Sequence, residues 1–214
     1  MKIKKKKLVV PSSQDEISLE RYQRFVKETT LTDNMNEQFI ASRMLDIFLD
    51  IPTSSVMRMT LASMERIAGM LAEVLAETPD LKPIFKMGDT EFGFIPKLDE
   101  MTFGEYVDLD TFMSDWSTMH KAMAVLYRPI KTRYEDKYEI VEYDGDMYHE
   151  AMKKMPLSVA MGSMLFFYRL ENDLLMTLEG YSEAEIQKTD SLPNGVGMLP
   201  YTLSQKETLP DSKK

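Results

Sequence analysis

The sequence predicts a mainly α (α+β) fold: a helical domain with a small β-hairpin, flanked by extended N- and C-terminal tails. Three observations lead to this reading. Apolar residues recur at i, i+3, i+4 spacing in several separate stretches between residues 19 and 178. Two short β-prone runs flank the dipeptide Gly88-Asp89 and are bracketed by Pro83 and Pro96, which is a hairpin signature. The two ends lack periodicity, one being rich in lysine and the other in proline, glycine and polar residues.

Taken in order, residues 1–16 read as a basic N-terminal arm. Lys2, Lys4, Lys5, Lys6 and Lys7 surround Ile3, and Leu8 to Val10 form a short strand-like run before Pro11. A helix follows from Ser18, its N-cap, with Leu19, Tyr22, Phe25 and Val26 on one side. A second helix starts at Asp33 or Asn34 and stops before Pro52, burying Phe39, Ile40, Met44, Leu45, Phe48 and Leu49. The third, capped by Thr60, carries Leu61, Met64, Ile67, Ala68, Leu71, Val74 and Leu75 at helical spacing and ends near Thr78-Pro79.

The hairpin strands are 84–87 and 90–95. Thr102 then caps a short helical turn, 103–107, and Asp110 caps a longer helix bearing Phe112, Met113, Trp116, Met119, Met123 and Leu126 before Pro129. "FGEYVDLD" thus reads as a joint, with Phe103, Tyr106, Val107 and Leu109 pinning it to the core. "YEIVEYDG" is strand-like, and "DMYHEAMKKM" is a short helix stopped by Pro156. Ser158 opens the last and most apolar helix, to about Leu178. A helix hydrophobic on most faces is either central or covered by another subunit. From Ser182 the pattern fades. The resulting division is an arm over 1–16, a mainly helical domain over 17–181 and an extended polar tail over 182–214, which reads as disordered in isolation.

Composition narrows the function. The 43% hydrophobic and 29% charged residues support a sizeable core. A net charge of −9 argues against a freely acting nucleic-acid binder, although the lysine arm remains locally basic. There is no cysteine, so cysteine-ligated metals, disulfides and a cysteine nucleophile are excluded, and only His120 and His149 are available as imidazoles. The first residues lack the apolar core of a signal peptide, and "LSVAMGSMLFFYRL" is broken by Arg169 before the roughly 20 residues a spanning helix needs. The chain therefore reads as soluble and intracellular. Nineteen methionines suit either a loosely specified core or an adaptable contact surface.

Two clusters merit weighing as sites. Glu105, Asp108, Asp110 and Asp115 supply carboxylates for acid–base work, but capping accounts for Asp110 and polar helical positions account for Glu105 and Asp115. Asp144, Asp146, His149 and Glu150 are candidate ligands for a divalent cation, yet their spacing matches neither an EF-hand nor H-E-x-x-H. His120 lies on an apolar helix with no nucleophile at a recognisable spacing, and the glycines match no phosphate loop. No catalytic residue, cofactor or metal is assigned. The arm, Lys2 and Lys4 to Lys7, is a candidate contact for nucleic-acid phosphates or an acidic protein surface, or simply a solvated terminus.

The succession "ISLERYQRF", "FGFIPKLDEMTFGEYVDLD", "WSTMHKAMAVLYRPI" and "MPLSVAMGSMLFFYRLENDLL", over about residues 15–178, resembles a family of tailed-bacteriophage virion morphogenesis proteins. Its members are variously structural, baseplate-related or tail-assembly proteins. The resemblance implies a non-enzymatic structural subunit of the neck, tail or baseplate. Such a subunit acts by oligomeric assembly in the virion, built in the host cytoplasm. Its expected partners are copies of itself in a ring and other phage structural proteins, with no membrane. Expected interface residues are Lys4, Lys5, Lys6, Lys7, Trp116, Met161, Met164, Phe166 and Phe167. The alternatives are a tail-assembly chaperone absent from the mature virion, and a capsid-packaged protein whose lysine arm contacts DNA. The enzymatic rival is a hydrolase built on Asp108 or Asp144.

Overall fold

In the computed structural model, residues 9–30, 36–135 and 137–186 are described; Lys4 to Lys7 and the tail beyond residue 186 lie outside them. The architecture is mainly α with one small antiparallel sheet. Helices α1 (Leu19–Thr30), α2 (Glu37–Leu49), α3 (Thr53–Val56) and α4 (Leu61–Leu75) precede strands β1 (Ile84–Met87) and β2 (Thr90–Phe94). Then come α5 (Phe103–Met113), α6 (Met119–Leu126), β3 (Tyr127–Tyr134), β4 (Lys137–Ile140), α7 (His149–Met152) and α8 (Leu157–Ile186). The chain divides into two units, Met1–Leu170 and Glu171–Lys214, with the division inside α8. In the second unit, Leu175 and Met176 of α8 are exposed.

The first unit is built around α6. Apart from Lys121, every residue from Met119 to Arg128 is buried, so helix and strand run through the core without a loop. The sheet, in the order β1-β2-β3-β4, begins with the expected hairpin, whose turn needs the left-handed backbone that Gly88 supplies at φ 62°. Phe85 and Phe94 present their rings to Tyr127, whose hydroxyl bonds the Lys82 carbonyl (2.9 Å) and Ser163 Oγ (2.9 Å). The start of α8 is held close to the chain before β1. A Cβ on Gly162 would collide with the Asp80 carbonyl oxygen.

The N-terminal segment is docked by polar groups. Gln14, fully buried in a 3-10 turn, donates its amide to the carbonyls of Val74 (3.1 Å), Leu75 (3.3 Å) and Glu77 (2.9 Å). These bonds satisfy carbonyls at and just beyond the C-terminal end of α4, Val74 O also accepting from Glu77 N. Leu19 N donates to Met155 O and Leu157 N to Ile17 O, so residues 17–19 pair with the entry to α8. Val9 and Val10 are not in a strand. Arg21 spans the end of α2, donating to the Ile47 and Phe48 carbonyls and pairing with Asp50 at 2.7 Å. A cation there complements the helix dipole.

Several elements differ from the sequence expectation. Asn36, rather than Asp33 or Asn34 (both outside the described residues), caps α2, accepting from Phe39 N at 2.8 Å. Phe39 consequently faces solvent, while Ile47 joins the core. The short α3 was not expected. Asp110 is no cap: α5 continues through it to Met113. The break comes at 114–118, where the Asp115 carboxylate accepts from Ser117 N (2.8 Å) and Oγ (2.7 Å) and offers the backbone an alternative to the helix. Trp116 therefore sits in a turn and not on a helix. Pro129 lies within β3, opposite Phe92. There its carbonyl accepts from Val141 N and its missing N–H is tolerated.

Candidate functional site

Helix α5 carries an apolar surface strip set by an unusual inward turn of a glutamate. Thr102 and Glu105 form a capping box: Glu105 N donates to Thr102 Oγ1 (3.3 Å), and Thr102 N donates to Glu105 Oε2 (2.7 Å). The other Glu105 oxygen pairs with Arg128 Nη2 at 2.7 Å, both side chains being more than nine-tenths buried. Arg128 rests over the Tyr143 ring, and the Tyr143 hydroxyl donates to Asp108. Burial, followed by the Asp108 carboxylate, pushes the Tyr143 hydroxyl up and keeps it protonated.

This inward turn of Glu105 sets the rest of the helix. Glu105 and Leu109 face the core, with Phe112 and Met113 half-buried beside them. The opposite side is formed by Phe103, Tyr106 and Val107, which are 82%, 59% and 41% exposed. The expectation that these three pin a joint to the core is therefore corrected: only Leu109 does so. Beside the exposed strip runs a cleft of about 480 Å³ whose walls include Leu98, Met101, Tyr106, Leu109, Phe167 and Leu170. Leu170 is itself 47% exposed.

The carboxylates weighed as catalytic do not converge. Glu105 is paired and capping, Asp108 receives Tyr143, Asp110 is exposed on α5, and Asp115 closes its own turn. The Ser117 backbone and hydroxyl bonds hold the Asp115 carboxyl below its usual range. Asp144 and Asp146 shape a turn through their carbonyls, which receive Met147 N and His149 N, while Glu150 pairs with Lys153 at 2.8 Å. Among the described residues, no three His, Asp or Glu side chains stand where they could share a metal ion.

His149 packs edge-on to Phe112, and burial, then Lys121, lowers its pKa. His120 is buried on α6 with Nδ1 3.0 Å from Gln23 Nε2, an amide donor, so Nδ1 accepts and Nε2 carries the proton. Burial, then Lys153, lowers its pKa as well.

Of the expected interface residues, Lys4 to Lys7 lie outside the described residues, and Trp116, Met161, Met164, Phe166 and Phe167 are half-buried. The Trp116 ring meets Tyr22 at 4.7 Å, and Phe166 and Phe167 lie 5.9 and 6.2 Å from Phe94. Met161 and Met164 are half-buried against the same core. The strip that does face out, Phe103, Tyr106 and Val107, was missed. The signal for it was the T-x-x-E capping box, which fixes Glu105 at the third helical position and leaves the aromatic residues pointing elsewhere.

A second recess, of about 880 Å³, lies against β4 and mixes Lys97, Lys131 and Arg128 with Glu100, Glu139 and Glu142. No described helix is long and apolar enough to cross a membrane. What fold and site define is thus a mainly α protein with a small antiparallel sheet and an apolar surface strip on one helix. No protein-family model matches the chain, and no curated protein or solved structure does either.

Proposed function

We propose that the chain is a non-enzymatic structural subunit of a tailed-phage particle, at the neck, tail or baseplate, that works by oligomeric assembly in the virion. The observation that carries this reading is the apolar strip of α5, led by the 82% exposed Phe103. Contiguous apolar surface of this kind is characteristic of protein contact sites. Two further points support it. The buried charged groups Glu105 and Arg128 serve one another inside the fold. The sequence string over about residues 15–178 resembles phage morphogenesis proteins.

The test is quantitative mass spectrometry of purified mature particles from the parent phage, scaled to the major capsid protein. A fixed small number of copies per particle is the expected result. Abundance in infected cells with absence from particles would replace this reading with the assembly chaperone.

A further inference from the structure

We propose that the outward face of α5 and the cleft beside it receive a second copy of this chain, the two α5 helices packing antiparallel across a twofold axis near Val107. The proposal rests on the assembly reading above and names the surface through which assembly occurs.

Self-complementarity is the first argument. Phe103 projects from α5, and the apolar cleft walled by Tyr106, Leu109, Phe167 and Leu170 opens beside the same helix. A surface offering both a knob and a hole satisfies the requirement of an isologous contact, in which each copy uses the same patch.

Area is the second argument. With aromatic side chains presenting 150–250 Å² each, the exposed parts of Phe103, Tyr106, Val107 and Leu170 amount to about 400 Å². Homodimer interfaces are about 65% apolar, so this strip would core an interface of roughly 600 Å² per copy. Stable complexes bury about 800 Å² per partner, so the strip forms the core of such an interface and the flanking surface must supply the remainder.

Charge chooses the direction. Helix α5 contains Glu105, Asp108 and Asp110 and no basic residue. A parallel arrangement would set the two exposed Asp110 carboxylates side by side. Pairing antiparallel about Val107 places each Asp110 beside residues 103–104 of the other copy. There the helix N-terminus carries partial positive charge.

The absence of cysteine makes the test clean. Sedimentation equilibrium of the full chain is expected to show a dimer or a larger even assembly. Phe103→Ala should raise the dissociation constant about 30-fold or more, as loss of an interface anchor does. Val107→Cys should form a 107–107 disulfide under mild oxidation, whereas Met70→Cys, on the exposed face of α4, should not. A wild-type chain that stays monomeric at high micromolar concentration would overturn the proposal. So would an assembly indifferent to Phe103→Ala that gives no 107–107 bond, although that outcome would leave the assembly reading standing. Conversely, absence from particles together with an intact α5 dimer would defeat the particle reading and keep this one.

Discussion

Helices α4 and α5 both follow a Thr cap, yet they handle their apolar residues in opposite ways. In α4, Met64, Ile67, Ala68, Leu71 and Val74 point to the core while Glu65, Arg66 and Glu73 meet solvent. In α5, a glutamate is buried and two aromatic residues and a valine face out. The first pattern buries a full stripe within one chain, although Leu61 and Met70 remain exposed. The second closes its inward side with an ion pair and leaves an apolar side exposed. A helix can therefore be well formed and still be only half explained by its own domain.

The largest effect should come from breaking the buried pair. Glu105→Ala leaves Arg128 without a counter-charge and is expected to cost about 3–5 kcal/mol in denaturant unfolding. Replacing both partners together, as Glu105→Leu with Arg128→Met, should recover most of that loss.

Next comes the direct contrast of the two helices. Leu71→Ala, at a fully buried position of α4, should cost about 2–5 kcal/mol, while Phe103→Ala should change the stability of the monomer by less than about 0.5 kcal/mol. Equal losses would mean that Phe103 is held by its own chain. Thr102→Ala, which removes the cap and one partner of Glu105, should cost about 1 kcal/mol.

The smallest effect concerns α6, on which α5 packs. Burial lowers the pKa of His120 from its ordinary 6.5, so between that value and its folded pKa the unfolded chain holds a proton that the folded chain refuses. Stability should therefore be greatest above pH 6.5 and fall as pH drops through it. His149 adds to the slope in the same direction. His120→Gln should flatten part of it in thermal melts at pH 5.5 to 7.5.

Much of this fold was legible in the sequence. The α4 stripe, the Gly88 turn and the Thr60 and Thr102 caps are local signals that tertiary contacts reinforce. Strand β3 was hidden because Pro129 usually ends regular structure, and only its pairing with β2 and β4 shows that its carbonyl suffices there. Trp116 was misplaced because the Asp115–Ser117 turn competes with a helix that periodicity alone would continue.

The candidate surface was less legible still. Phe103, Tyr106 and Val107 look like core residues unless the Thr102–Glu105 capping box is used to set the phase of the helix. Their exposure follows from Arg128, 23 positions further along the chain, which draws Glu105 inward. Phe166 and Phe167, expected at an interface for being apolar, meet Phe94 and stay half-buried, and Phe167 also walls the cleft beside α5.

The most direct test of the central claim is hydrogen–deuterium exchange of the full chain at low and high protein concentration, read separately on α4 and α5. The account predicts that amides of 103–113 become more protected as concentration rises while those of 61–75 do not change. Protection of α5 that is already complete and independent of concentration, at concentrations where sedimentation reports only monomer, would contradict it.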